Sequence, residues 1–231
     1  PPMRLTLASS DANPLGGKVC KNMVTDMYPR AFRGTNAQPF AAWYGKQASE
    51  HYHPTSTTYI ILTSVLNARQ NEVEDMYRFV EVGNTLVVAA NYLSEEFTEK
   101  FGIQVGSNVL VEQVFSASNK HPLRYEDTRK YLPNDTVANT DKAYGFFYER
   151  MGSYIISDSS DFEVTRISFN HYGVADGVEL EVGDGRLMVV ANAEAFTNYY
   201  LLTANNYLYA DEIFQRPGAV TSNLYWDEFY H

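Results

Sequence analysis

The sequence has little cysteine, little positive charge and no long apolar run. These shortages bear on disulfide bonds, nucleic-acid binding and membrane-spanning segments in turn. Cys20 is the single cysteine in 231 residues, so no internal disulfide bond can form. Lysine and arginine total 18 against 28 acidic residues, which gives a net charge of −10. A nucleic-acid partner is therefore not expected, because such partners need clustered positive charge. The apolar runs are shorter than the roughly 20 residues that span a bilayer.

The N-terminal half of the chain alternates predicted strands and helices. Strands are predicted at 3–8, a short apolar run with alternation, at 57–63, a nearly unbroken apolar run rich in β-branched residues, and at 85–90, a second buried run. Helices are predicted from Asn13-Pro14 to about Tyr28, around 39–47, over 69–83 with Gly83 as C-cap, and over 94–102. Short links between alternating strands and helices indicate βαβ units and a parallel sheet.

From Ile103 onward the pattern changes to short, aromatic, alternating runs, which predict an antiparallel β-rich insertion over 104–180. A hairpin with Asp184-Gly185 in its turn follows. Its second strand leads into one long predicted helix over 193–214, and the chain closes on the predicted strand LYWDEFYH, 224–231. We predict a single domain, 1–231, with an N-terminal βαβ part at 3–103, the insertion, and a C-terminal part at 181–231 that completes the sheet.

Several segments together resemble the family called domain of unknown function 4350. They are MRLTLA, DANPLGG, TTYIILTSVLNARQNEVEDMYRFVEVGNTLVVAA, GDGRLMVVANAEAFTNYYLLTANNYLYADEIF and YWDEFYH. The resemblance implies a three-layer α/β/α sandwich with a mainly parallel central sheet. This fold would be flavodoxin-like and close to the class I glutamine amidotransferase-like group. The family has no established biochemical activity, so the resemblance implies none.

The resemblance also implies a location. Relatives are membrane-anchored proteins, often of Bacteroidetes-type bacteria, whose domain faces the periplasm or the outside. We therefore expect attachment to the cell membrane through segments outside this sequence. LYWDEFYH would then be the last strand before such a segment.

Amidotransferase chemistry requires a cysteine on a sharp strand-to-helix turn. The corresponding turn is predicted after TLVVAA and carries Asn91-Tyr92, whereas Cys20 lies inside the first predicted helix. We interpret Cys20 as a packing residue and expect the fold without the activity. This interpretation favours a protein that is not an enzyme.

The segment PLGGK, 14–18, could bind an anion at a helix N-terminus. A Walker loop would need serine or threonine after Lys18, and Val19 stands there. Tight-turn glycines that let the helix approach the sheet are the favoured interpretation, and a weaker anion or sugar contact by Asn13, Gly16 and Gly17 stays open. His51 and His53 are too few for a zinc site, so no metal and no cofactor are predicted.

Asp227 and Glu228 are the candidate catalytic residues. Adjacent residues on a strand point to opposite faces, so they cannot form a facing carboxylate pair. One of them could turn inward toward Asn198 or Asn206 and form a structural network instead. With Asn91 and Tyr199, these residues complete the predicted ligand-binding set.

Three classes of function follow from these patterns. The favoured hypothesis is a non-catalytic interaction or ligand-sensing module, whose partner is an envelope or membrane protein or a small glycan or peptide. A hydrolase of cell-envelope glycans or peptides that uses Asp227 or Glu228 is the first alternative. A structural assembly domain with an exposed apolar patch is the second.

Overall fold

The longest apolar runs of the sequence form the central strands of a seven-stranded sheet. The computed structural model describes residues 5–49, 55–107, 153–157, 159–169, 174–218 and 221–231. The strands are β1 Phe32–Asn36, β2 Thr57–Leu66, β3 Thr85–Leu93, β4 Gln104–Ser107, β5 Ser153–Ile156, β6 Glu163–Phe169, β7 Ala175–Val182, β8 Gly185–Val190 and β9 Asn223–Asp227. The helices are α1 Lys18–Met27, α2 Phe40–Ser49, α3 Gln70–Glu81, α4 Glu95–Phe101, a 3₁₀ helix Ala193–Phe196, α5 Asn198–Leu201 and α6 Tyr207–Gln215.

The sheet is mostly parallel. Its strand order is β1-β9-β2-β3-β8-β7-β6, and the first five strands run parallel to one another. β7 and β6 continue the same sheet in antiparallel orientation. β4 and β5 form a separate antiparallel pair. The predicted mixed α/β fold with a mainly parallel sheet is confirmed, while its flavodoxin-like and amidotransferase-like character and its domain division stay predictions.

Helices cover both faces of the sheet because alternate residues of each central strand point to opposite sides. Ile60 and Leu62 of β2 belong to an apolar cluster with α1, α5 and α6. Tyr59 and Ile61 belong to a second cluster with α2, α3 and α4. Each fully buried large side chain stabilises the fold by roughly 1.5–3 kcal/mol, so loss of either helical layer would expose much of the core.

The helices α2, α3 and α4 lie where the sequence predicts them. In α3, Val73, Met76 and Val80 are buried at helical spacing, as an amphipathic helix requires. The predicted C-cap is off by one residue: Val82 is the C-cap, and Gly83 follows it with φ +104°. α4 ends at Gly102, whose φ of +63° is the left-handed conformation that glycine adopts most readily.

Two N-terminal predictions are wrong. Residues 5–8 form no strand, because the N–H groups of Thr6 and Leu7 both donate to the carbonyl oxygen of Leu15, at 3.1 and 3.2 Å. This local pairing uses donors that a sheet would need. Asn13-Pro14 does not start α1, which begins at Lys18 with Gly17 as its N-cap.

The long predicted helix over 193–214 is broken into three pieces. Ala204 has φ +48°, which no regular helix accommodates. The hydroxyl group of Thr203 also donates to the carbonyl oxygen of Tyr199 at 2.6 Å, so a side chain competes for a helical acceptor. The hairpin between β7 and β8 is present, but its turn is Gly183-Asp184 instead of Asp184-Gly185.

Candidate functional site

A cleft of about 740 Å³ opens at the carboxyl end of β2. Its walls come from the start of α2, the end of β2 with its following loop, the start of α3, and residues 229–231. Arg69, Asn67 and Asn71 supply polar atoms, and Phe229 supplies an apolar wall. Ligands of open α/β sheets bind at the carboxyl ends of the strands, so this cleft is the candidate site.

A buried carboxyl group lies beneath the cleft. Oδ1 of Asp227 accepts a hydrogen bond from the Tyr59 hydroxyl group at 2.9 Å. Its Oδ2 accepts from the backbone N–H groups of Phe229 and Tyr230 at 3.0 and 2.9 Å. Burial raises the pKa of Asp227 to about 7, although these hydrogen bonds oppose the shift. The hydroxyl oxygen of Tyr59 accepts in turn from Asn36 at 2.8 Å, so the network is anchored in three strands.

Tyr230 connects this network to the cleft wall. Its hydroxyl group donates to Oε1 of Glu72 at 2.5 Å, and its carbonyl oxygen accepts from the Thr63 hydroxyl group. Oε2 of Glu72 accepts from the backbone N–H of Arg69 at 3.1 Å, which closes the first turn of α3. Burial raises the pKa of Tyr230, so its phenol stays neutral and keeps donating. The wall is therefore held by hydrogen bonds between residues distant in sequence.

Glu228 lies apart from Asp227. Its Oε1 accepts from the backbone N–H of Ser9 at 3.2 Å, and its Oε2 lies 3.5 Å from Nε2 of His231. The two candidate carboxyl groups thus have separate partners. The predicted contact of one of them with Asn198 or Asn206 is wrong, because Asp227 faces the layer of α2 and α3 while Asn198 contacts the loop before α1.

Asn198 connects the N-terminal loop to α5 through hydrogen bonds. Its side-chain amide donates to the carbonyl oxygens of Asp11 and Asn13 at 2.8 and 2.6 Å, and its Oδ1 accepts from the N–H of Val19 at 2.7 Å. The N–H group at the start of α1 that an anion would use is therefore taken by Asn198. Tyr199 follows it, and its side chain is about half exposed.

Gly16 and Gly17 are needed for close backbone contact in this loop. A Cβ atom at Gly16 would lie 2.2 Å from the carbonyl oxygen of Asp11, and one at Gly17 would lie 2.2 Å from that of Leu7. Both contacts are far inside van der Waals distance. The glycines thus have a packing role.

A second buried polar cluster lies at the ends of β3 and β8. Asn91 donates to Oε1 of Glu194 at 2.7 Å and accepts from the N–H of Ala193 at 3.0 Å. Asp176, which the sequence did not single out, accepts from Ser168 at 2.6 Å, and burial raises its pKa to about 6. The turn predicted at Asn91 is absent from this described stretch because β3 continues to Leu93.

The other predicted residues have structural positions. Asn206 is buried, and its N–H donates to the carbonyl oxygen of Thr203 at 3.1 Å. Cys20 is fully buried in α1, and burial raises the pKa of its thiol well above the usual value, so it stays protonated. His51 and His53 lie outside the described residues. Within the described ranges, no group of three or more His, Cys, Asp or Glu side chains could hold a metal ion.

The predicted ligand-binding residues do not line the cleft. The cleft residues that the sequence analysis missed, Asn67, Arg69, Asn71 and Glu72, all follow the buried strand β2 directly. A signal for them existed in the polar segment NARQNE, because side chains placed just after a buried parallel strand reach the carboxyl edge of the sheet. Residues from 39–42 and 229–231 also line the cleft, and no local sequence pattern predicts that these two segments lie next to the end of β2.

These features define an α/β protein with a mostly parallel, doubly covered sheet and a cleft at its carboxyl edge. The chain belongs to the family described as domain of unknown function (DUF4350), whose model matches residues 36–213. No curated protein sequence matches the chain significantly. Among the described residues, no helix has both the length and the apolar character that crossing a membrane requires.

Comparison with solved structures gives distant similarities. The mmIFT52 N-terminal domain is 13% identical, with a TM-score of 0.47, over 82% of this chain and 97% of that one. The exo-β-1,4-mannosidase Op5Man5 from Opitutaceae bacterium strain TAV5 is 12% identical, with a TM-score of 0.37, over 73% of this chain and 25% of that one. A β-galactosidase from Bacillus circulans sp. alkalophilus is 13% identical, with a TM-score of 0.35, over 61% and 21%. Similarities this distant carry no functional argument.

Proposed function

We propose that this domain is a ligand-binding module and that the cleft at the carboxyl end of β2 is its binding site. The observation that carries the proposal is the cleft itself. Its volume of about 740 Å³ suits a small molecule or a short segment of glycan or peptide. Its floor is held by the Asp227 and Tyr230 network, so the cleft is formed before a ligand arrives.

The character of the wall favours binding over catalysis. Both carboxylate oxygens of Glu72 already accept hydrogen bonds, from Tyr230 and from the N–H of Arg69. Asp227 is sealed beneath Tyr230 and cannot touch a ligand in the cleft. A hydrolase would therefore have to use Glu72, the carboxyl group that lines the cleft, instead of Asp227 or Glu228.

The location of the module is a further part of the proposal. The family resemblance supports a membrane-anchored parent protein with this domain facing the periplasm or the outside. Glycans and peptides of the cell envelope are then the ligands within reach. An assembly role for the domain is the alternative, and exposed apolar side chains near the cleft support it, with Val65 48% and Phe229 41% exposed.

A thermal-shift screen with a blocked cleft tests the proposal. Purified protein is screened against glycan fragments, muropeptides and short peptides, since a specific ligand raises the melting temperature by mass action. Ala42→Trp places an indole in the cleft, and Asn22→Trp on the exposed face of α1 is the matched control. Binding is expected in the parent and control proteins and not in Ala42→Trp. A ligand that binds all three equally would show that the cleft is not the site.

A further inference from the structure

We propose that the cleft recognises a carboxylate group, carried by an acidic sugar or by a peptide, and that Arg69 binds it. This inference rests on the proposed function and narrows the class of ligand. It differs from the proposed function in a testable way, because a cleft that binds neutral glycans or peptides would satisfy the function and not the inference.

In the described part of the chain, Arg69 has no carboxylate partner. Among the residues that the structure describes, no carboxylate lies within 4.0 Å of its guanidinium group, although other arginines such as Arg78, Arg186 and Arg216 have acidic neighbours. Glu72, three residues further on, is occupied by Tyr230 and by the backbone of Arg69. What distinguishes Arg69 is its place on the cleft wall, where a guanidinium group without a described carboxylate partner is suited to bind an anionic ligand.

The rest of the lining selects the kind of anion. Glu72 lies on the same wall, and its carboxylate repels a doubly charged phosphate more strongly than a singly charged carboxylate ligand. The planar guanidinium group matches a carboxylate with two parallel hydrogen bonds. Ser64, Asn67 and Asn71 offer neutral donors and acceptors for sugar hydroxyl or peptide groups.

An apolar surface adjoins these polar groups. Val65 and Phe229 both line the cleft, and Tyr92 is the register partner of Val65 on β3. Tyr92 is 53% exposed, so its ring is available to the face of a sugar or to an apolar side chain. Arg69 together with this apolar surface fits a ligand that has a carboxylate and an apolar face.

The test compares acids with their neutral counterparts. N-acetylmuramic acid is paired with N-acetylglucosamine, and N-acetylphenylalanine with its amide, each added to ¹⁵N-labelled protein up to about 10 mM, a range that detects weak binding. We expect backbone amide shifts at residues 67–72 and 229–231 with the acids and not with the neutral compounds. Shifts with N-acetylmuramic acid would identify an acidic sugar as the source of the carboxylate, and shifts with N-acetylphenylalanine would identify a peptide.

Arg69→Gln and the matched control Arg78→Gln complete the test. Loss of a charge-assisted contact should weaken binding of the acid about tenfold or more in Arg69→Gln and leave Arg78→Gln unchanged. Equal binding of acid and neutral compound at the cleft would overturn the inference and leave the proposed function standing. No binding of either acid would also overturn the inference. Shifts that map away from the cleft would overturn both.

Discussion

Replacement of Asp227 by asparagine should change how the free energy of unfolding depends on pH. Burial raises the pKa of Asp227 from its usual 3.8 to about 7, so the folded protein keeps a proton that the unfolded chain has released. A folded state that binds more protons loses stability as pH rises. The contribution of this proton is therefore complete below about pH 4 and is lost as pH rises through about 7.

The magnitude follows from the size of the pKa shift. A rise of the pKa from 3.8 to about 7 corresponds to roughly 4 kcal/mol in total, and more than half of it falls between pH 5 and pH 8. Asparagine cannot ionise and lacks this dependence. It also has one acceptor oxygen where Asp227 has two, so either the Tyr59 hydroxyl group or the N–H groups of Phe229 and Tyr230 lose their acceptor, which costs about 1–3 kcal/mol at every pH.

Urea unfolding at several pH values between 5 and 8 measures the effect. The free energy of unfolding of the parent protein minus that of Asp227→Asn should be larger at pH 5 than at pH 8, by roughly 3 kcal/mol. Asp26→Asn, which replaces an exposed carboxylate of α1, is the control and should show no such change. A difference between parent and Asp227→Asn that stays constant with pH would refute the reasoning.

Three further predictions follow from buried contacts. Gly17→Ala should destabilise the fold by about 1–3 kcal/mol, because the added Cβ atom overpacks the loop. Gly45→Ala, where nothing lies within 4 Å, should instead stabilise the fold by about 0.5–1 kcal/mol. Urea unfolding measures both variants, and equal effects would contradict the packing role of Gly17. Tyr59→Phe should cost about 1–3 kcal/mol, because Asp227 loses a donor, and exposed Tyr92→Phe should cost under about 0.5 kcal/mol in the same assay. Cys20 should react with a thiol reagent only as fast as the protein unfolds, and rapid labelling of folded protein would contradict its burial.

The buried strands and amphipathic helices were accessible from the sequence because their signals are local. β2 and β3 are apolar runs that parallel strands covered on both faces require, and the spacing of apolar residues in α3 marks a helix. Where the prediction failed, a contact distant in sequence or a side chain decided the backbone. Residues 193–214 have the composition of a helix, yet the extended backbone at Thr197 and the positive φ of Ala204 interrupt it.

The candidate site could be predicted only in part. The sequence placed Asp227 in a terminal strand with a structural network, and the network exists, but its partners are Tyr59 and the backbone instead of Asn198. Hydrogen-bond partners that lie more than a hundred residues apart are chosen by which strands become neighbours. β9 lies between β1 and β2 in the sheet, which brings Asp227 beside Tyr59, and no local sequence pattern predicts this strand order.

The sequence by itself determined the acidic surface, the single thiol, the α/β class and most central elements, because these depend on composition and on short-range periodicity. Only the tertiary structure decided the cleft. Residues 39–42, 63–72 and 229–231 meet there because three parallel strands end at one edge of the sheet. The same burial that brings them together removes the carboxyl group of Asp227 from water, and this raises its pKa.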